Sequence, residues 1–175
     1  MLVINGCIGN FENNTSNKLN SGTMYFKTYT DANFNYSIQY PGDWEIIRNK
    51  SKISFIYPKN SMDGYTTLNL QILLSPDNGG KYKSIEDVIL DLEQQLQKIT
   101  KNLKIIYERE NMLGVSKGEE LSVSYTLNDL NYTQTMIIAK AGSNFYVLTY
   151  FSPSARYEQY IYAYEQARKS FKYTR

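Results

Sequence analysis

Histidine is absent from this 175-residue chain, and cysteine and tryptophan occur once each, as Cys7 and Trp44. Without histidine there is no Ser-His-Asp or Cys-His triad, no imidazole general base and no zinc site built on imidazole. A lone cysteine excludes a disulfide within the chain and any thiolate cluster. No apolar stretch in the sequence reaches the ~18 residues of a membrane-spanning helix. Charge of one sign is equally scarce in blocks. The 19 basic and 17 acidic residues leave a net charge of +2, and no like-charged run reaches about five residues. The basic stripe of a nucleic-acid binder is missing, so nucleic acid is not expected as a partner.

Tyrosine is what the chain has in excess, at 17 residues. Tyrosine rings can stack on bases, but here most fall at strand or helix spacing, which points to core and rim packing. With 42% hydrophobic and 14% aromatic residues, a chain of this length can bury a sizeable core as one domain.

One stretch organises the rest, Phe34-Asn35-Tyr36-Ser37-Ile38-Gln39-Tyr40-Pro41-Gly42-Asp43-Trp44. The alternation of Phe34, Tyr36, Ile38 and Tyr40 with polar residues predicts a half-buried strand. Pro41 has no N–H to donate and ends the ladder, Pro41-Gly42-Asp43 turns the chain, and Trp44 is expected to plug the end of the core.

Before this stretch, residues 1–22 read as a tail, Asn-rich and too poor in apolar side chains to offset the entropy of ordering them. The domain is expected over 23–175, opening with a short strand through Met24, Phe26 and Tyr29. After Trp44, short strands are predicted at Ile46–Ile47 and Ile53–Tyr57, and a longer one from Leu68 to Leu74. Ser84 and Asp87 form a capping pattern ahead of Ile85, Val88, Ile89, Leu92, Leu96 and Ile99, whose steps of three and four predict an amphipathic helix. Strands follow at Leu103–Arg109, Leu121–Tyr125, Tyr132–Ala141 and Phe145–Phe151, the last three joined by links short enough to require an antiparallel meander. A final helix is predicted from Ser152-Pro153-Ser154, with Tyr157, Tyr160, Ile161, Tyr164 and Ala167 on one stripe and Phe171 closing the core. The expected fold class is α+β, helices and about eight short strands layered on one antiparallel sheet.

In this order of elements the chain resembles the PsbP-like family. The residues that carry the resemblance are Tyr40-Pro41-Gly42-Asp43-Trp44, Leu113-Gly114-Val115-Ser116-Lys117-Gly118-Glu119-Glu120, Tyr146-Val147-Leu148-Thr149-Tyr150 and the closing Ser170-Phe171. It covers roughly Thr23 to Tyr173. It implies an antiparallel sheet flanked by helices, an α/β/α sandwich, with no catalytic residues and no cofactor. The role it implies is extracytoplasmic binding or assembly with a protein partner, in a prokaryote without photosynthesis.

Val3-Ile4-Asn5-Gly6-Cys7 resembles the end of a lipoprotein signal, with Asn5 departing from the small apolar or hydroxyl residue usual there. This implies a truncated signal within 1–22, lipid on Cys7, and a flexible tether holding the domain on the outer face of the cell membrane. Asn13, Asn14 and Asn131 begin glycosylation sequons, as does Asn35, and only the tail pair is surely accessible.

Two further groups bear on chemistry. Asp77-Asn78-Gly79-Gly80-Lys81 lacks phosphate-loop spacing and reads as a turn. Glu86, Asp87 and Asp91 share a helix, yet no partner carboxylate from another segment is identifiable, so a solvated helix face is the simpler reading and no metal is expected. The rival to a binding protein is a hydrolase that uses carboxylates alone. Two or more acids with raised pKa values in one concave site would mark it.

Overall fold

The computed structural model describes residues 25–57 and 66–174. The strands of the first half are β1 (Phe26–Asp31), β2 (Tyr36–Pro41), β3 (Glu45–Asn49), β4 (Lys52–Ile56) and β5 (Thr67–Leu74). After helix α1 (Ile85–Ile99) come β6 (Lys101–Leu113), β7 (Ser116–Leu127), β8 (Leu130–Ala141) and β9 (Asn144–Pro153). Helix α2 (Tyr157–Ser170) and the two-residue strand β10 (Lys172–Tyr173) end the chain.

These strands form two antiparallel sheets among the described residues, not the single sheet expected. One has seven strands in the order β3-β4-β5-β9-β8-β7-β6, the other three in the order β1-β2-β10. The break falls at Pro41 and the turn after it. Gly42 N–H donates to Tyr25 O at 2.8 Å and Trp44 N–H to Pro41 O at 3.0 Å, so the chain leaves β2 and enters the larger sheet as β3. A period of two identifies a strand but not the sheet it joins. The sheets are tied by Tyr40 stacked on Phe55, with ring centroids 4.5 Å apart, and by an Arg48–Asp31 ion pair at 2.7 Å.

Trp44 sits where expected, 4% exposed, edge-on to Tyr57 and Tyr160. Phe34, by contrast, lies outside β2. Asp31 Oδ1 accepts from the N–H groups of Asn33 and Phe34, and Asn35 takes a φ of 52°, so residues 32–35 turn and the strand begins at Tyr36. The last helix also starts late. β9 runs through Pro153 because Ser152 pairs with Thr133 and its Oγ shares a hydrogen bond with Thr66 Oγ1, and one 3-10 turn, Ser154–Arg156, precedes α2.

Helix α1 follows its sequence signals closely. Ser84 Oγ accepts from Asp87 N–H at 3.2 Å and the Asp87 carboxylate accepts from Ser84 N–H, closing a capping box. Val88, Ile89, Leu92 and Leu96 are buried against Leu121, Val123 and Met136 on one face of the large sheet, while Ile99 in the last turn is about half exposed. Helix α2 and the small sheet cover the other face, around Tyr36, Ile38, Leu148 and Tyr164.

Candidate functional site

The site is built on the hairpin of β6 and β7. Leu113 pairs with Ser116, and the link between them is Gly114-Val115. Gly114 has a φ of +57°, its N–H donates to Arg168 O at 2.7 Å, and a Cβ there would lie 2.0 Å from Phe171 O. Only glycine suits that position. The turn then sets every pairing back along the hairpin: Glu110 opposite Glu119, Arg109 opposite Glu120, Glu108 opposite Leu121. Tyr107 faces Ser122 in the same register, and a bulge at Ile106 then sets Ile105 opposite Val123.

Alternation divides these residues between the two faces. Tyr107, Arg109 and Glu120 look towards α2. Glu120 is fully buried, and Arg109 Nε and Nη2 both donate to its Oε2, at 2.7 and 2.6 Å. Tyr164 Oη donates to the other oxygen at 2.8 Å. Burial alone would push the Glu120 carboxyl up, but hydrogen bonds from Tyr164, Arg109 and Asn111 outweigh it and hold the group below the usual carboxylate range. Arg168, buried on α2, donates through Nη1 to Asn111 Oδ1 and Met112 O and through Nη2 to Glu165. Each charge in this cluster has an opposite charge in reach, and Arg109, with a side chain 56% exposed, also lies over the Tyr107 ring. The arrangement fastens α2 to the hairpin.

The outer edge of β6 is the reverse case. β6 closes one side of the large sheet, and among the described residues no strand pairs with its outer side. Met112 N–H donates to Asn111 Oδ1 at 2.8 Å and Met112 O accepts from Arg168. Both groups of Met112 therefore point out of the ladder. In an antiparallel pair this outward set recurs at every second residue, which includes Glu110 and Glu108.

On the α1 side the edge reads Ile105, Glu108, Glu110, Met112. One cavity of about 370 Å³ opens beside Glu110, Met112, Lys117, Glu119 and Ile85. A second, of about 310 Å³, opens beside Leu103, Ile105, Val123 and Leu96. Burial pushes the Glu119 carboxyl up, and the negative charges of Glu110, Glu108 and Glu86 push it further.

The acids singled out from sequence do not meet at one site. Asp87 is spent on the helix cap. Asp91 accepts from the Tyr82 hydroxyl and, at 2.9 Å each, from Lys81 and Gln95; the Tyr82 and Lys81 bonds lead in holding its carboxyl low. Glu86 faces the acidic row of β6 and β7 instead, close enough for its charge to act on Glu119. Among the described residues no group of three His, Cys, Asp or Glu side chains is placed to hold a metal. Gly79 completes a 3-10 turn, as its motif suggested. Asn131 is exposed at the start of β8, its Oδ1 accepting from Thr126 Oγ1 at 2.9 Å. Cys7, Asn13 and Asn14 lie outside the described residues. The row of Glu108, Glu110 and Glu119 went unrecognised in the sequence, although the two-residue turn at Gly114-Val115 alone sets Glu110 against Glu119.

No protein-family model matches the sequence, and no curated protein matches it either. Solved structures do match in shape. The solution structure of cyanobacterial PsbP from Synechocystis has a TM-score of 0.60 at 11% identity, over 91% of this chain and 98% of that one. LpqN, involved in cell envelope biogenesis of Mycobacterium tuberculosis, gives 0.58 at 13% identity, over 88% of this chain and 93% of its own. The Ran-binding protein Mog1p of Saccharomyces cerevisiae gives 0.57 at 8% identity, over 86% and 96%. The fold is thus PsbP-like, an antiparallel sheet between helices, as the resemblance of the sequence implied.

Proposed function

We propose that this chain is a non-catalytic binding or assembly protein, tethered by its amino-terminal segment to the outer face of the cytoplasmic membrane. The observation that carries the binding reading is the outer edge of β6. Its open backbone groups lie between two cavities, whereas the buried carboxylates Glu120 and Asp31 are already saturated by cations and hydrogen bonds. Similarity in fold to a Ran-binding protein and to a protein of cell envelope biogenesis supports the same reading. The tether is supported by sequence alone: Cys7 follows a small residue and an apolar run, and precedes a polar stretch. As a flexible coil, about 15 residues after Cys7 would span roughly 20 Å, enough to lift the domain clear of the headgroups. One acyl chain anchors only marginally, so a stable tether would carry two or more.

A second reading, a carboxylate-dependent hydrolase, rests on Glu119 alone, whose raised carboxyl lines a cavity, where two or more such acids would mark the site. Two measurements decide. The gene with its full upstream region is expressed, membranes are fractionated, and wild type is compared with Cys7→Ser. Wild type is expected in the membrane and the variant in the soluble fraction; equal partition with an unmodified thiol by intact mass overturns the tether. A broad hydrolase panel is expected to be negative. Reproducible turnover abolished by Glu119→Gln would replace the binding reading with the hydrolase.

A further inference from the structure

We infer that the outer edge of β6 takes up an extended segment of a partner protein as an added strand, with two basic residues at alternate positions flanked by apolar ones. This rests on the binding reading and specifies its site and its ligand. Three independent features of the edge converge on that ligand.

The first is the backbone. Glu108 and Glu110 belong to the outward-turned set fixed by Met112, so the edge offers two N–H and two C=O groups in register for strand addition. Arg168 and Asn111 occupy the equivalent groups of Met112, and the bulge between Ile105 and Tyr107 breaks the register at the other end. The usable edge is therefore short, which restricts pairing to a brief segment.

The second is side-chain order. An added strand places its alternate side chains opposite Ile105, Glu108, Glu110 and Met112 on the α1 side. The two cavities open at the ends of this row, one at Ile105 and the other at Glu110 and Met112. A row of this length spans about 20 Å and matches a segment of roughly seven residues. Apolar side chains at its ends would cover Ile105, 54% exposed, and Met112, 37% exposed.

The third is charge. Glu110, Glu108 and Glu86 all act on Glu119 across this row, with Lys117 as the cation lining the same cavity. The excess negative charge selects lysine or arginine opposite Glu108 and Glu110. It also opposes a second copy of this chain, since antiparallel self-pairing centred on Glu110 would set that carboxylate against itself.

The test uses a fluorescent peptide, Thr-Val-Thr-Lys-Thr-Lys-Thr-Val-Thr, blocked at both ends, and the full chain. Fluorescence anisotropy is expected to show saturable binding. Replacing both lysines by glutamate, methylating alternate backbone nitrogens of the peptide, or introducing Glu108→Lys with Glu110→Lys should each weaken binding by about tenfold or more. The doubly substituted protein should in turn prefer the glutamate peptide, a gain that a misfolded variant would not show. Hydrogen exchange at the Glu108 and Glu110 amides should slow when peptide is bound. Binding that survives backbone methylation, or that a scrambled peptide of equal composition reproduces, overturns strand addition and leaves only charge attraction. A dimer in sedimentation that the charge reversals abolish would assign the edge to a second copy and likewise overturn the proposal. No peptide binding at all overturns it too, and leaves the binding reading to be judged by its own measurements.

Discussion

Glu119 and Glu120 adjoin in the chain, yet β7 turns them to opposite faces of the sheet, where they meet opposite conditions. Glu120 is fully enclosed, takes both donors of Arg109 and the hydroxyl of Tyr164, and is held low. Glu119 looks towards α1, meets Glu110 directly across the ladder and Glu108 and Glu86 nearby, and is pushed up. Burial opposes ionisation in both. The difference lies in what else is within reach: a cation and donors in one case, other carboxylates in the other. The more deeply buried of the two is therefore the one held low, because its partners outweigh its depth.

The strongest way to break this contrast is Glu120→Ala. It leaves Arg109 and the Tyr164 hydroxyl without their acceptor; removal of one side of a buried ion pair costs about 3–5 kcal/mol, and with Arg109 half exposed the low end, about 3 kcal/mol, is expected. Chemical denaturation should show that loss, and a loss under ~1 kcal/mol would mean that solvent reaches the cluster. Trp44→Ala supplies an apolar yardstick of the same order, ~3–5 kcal/mol from lost burial and the cavity left beside Tyr57 and Tyr160. An unchanged melting temperature would remove Trp44 from the core and make it a ligand-stacking residue.

The smallest expected effect falls on Glu119. Glu119→Gln should change stability near neutral pH by no more than about 0.5 kcal/mol, in the stabilising direction, because it relieves repulsion. The pH dependences sharpen the contrast. The folded-state pKa of Glu120 is lowered, so its contribution is present above the unfolded carboxyl value and lost as pH falls through the folded one. That of Glu119 is raised, so stability is greatest below the unfolded value and declines as pH rises through the folded one. Melts of wild type and Glu119→Gln should converge on acidification, while wild type and Glu120→Gln should also converge, but from above. A wild type that falls further below Glu119→Gln as pH drops would reverse the sign assigned to Glu119.

What the sequence made legible was local. The cap at Ser84, the stripe of Val88, Leu92 and Leu96, and the short links of the meander each depend on residues within a few positions, and each stands in the structure. Trp44 was also placed correctly, because the alternating strand and Pro41 precede it directly. Relations across the chain were not legible. Glu120 and Ser122 alternate with Leu121 and Val123, a pattern that reads as a solvent face; only the arrival of Tyr164 and Arg168 from α2 makes that face interior. In the same way the aromatic period through Tyr36, Ile38 and Tyr40 announced a strand but was silent on its neighbours, one of which is β10. The acidic edge is hidden in the sequence for a simpler reason. Its carboxylates are scattered at 108, 110 and 119, and they form a row only once the hairpin register is applied.

The small sheet carries a consequence for how the chain is made. β2 pairs with β1 early, but its other neighbour is β10, where Lys172 meets Ser37 and Tyr173 meets Tyr36. Phe171 stacks on the Tyr36 ring, and Thr174 N–H donates to Asn35 O at 2.8 Å. During synthesis this side of the molecule must wait, half-finished, until Phe171 to Thr174 emerge from the ribosome. A chain exposed only as far as α2 would leave β2 without β10 and the Tyr36 ring without Phe171, so that the segment following α2 acts as the latch on the first strands.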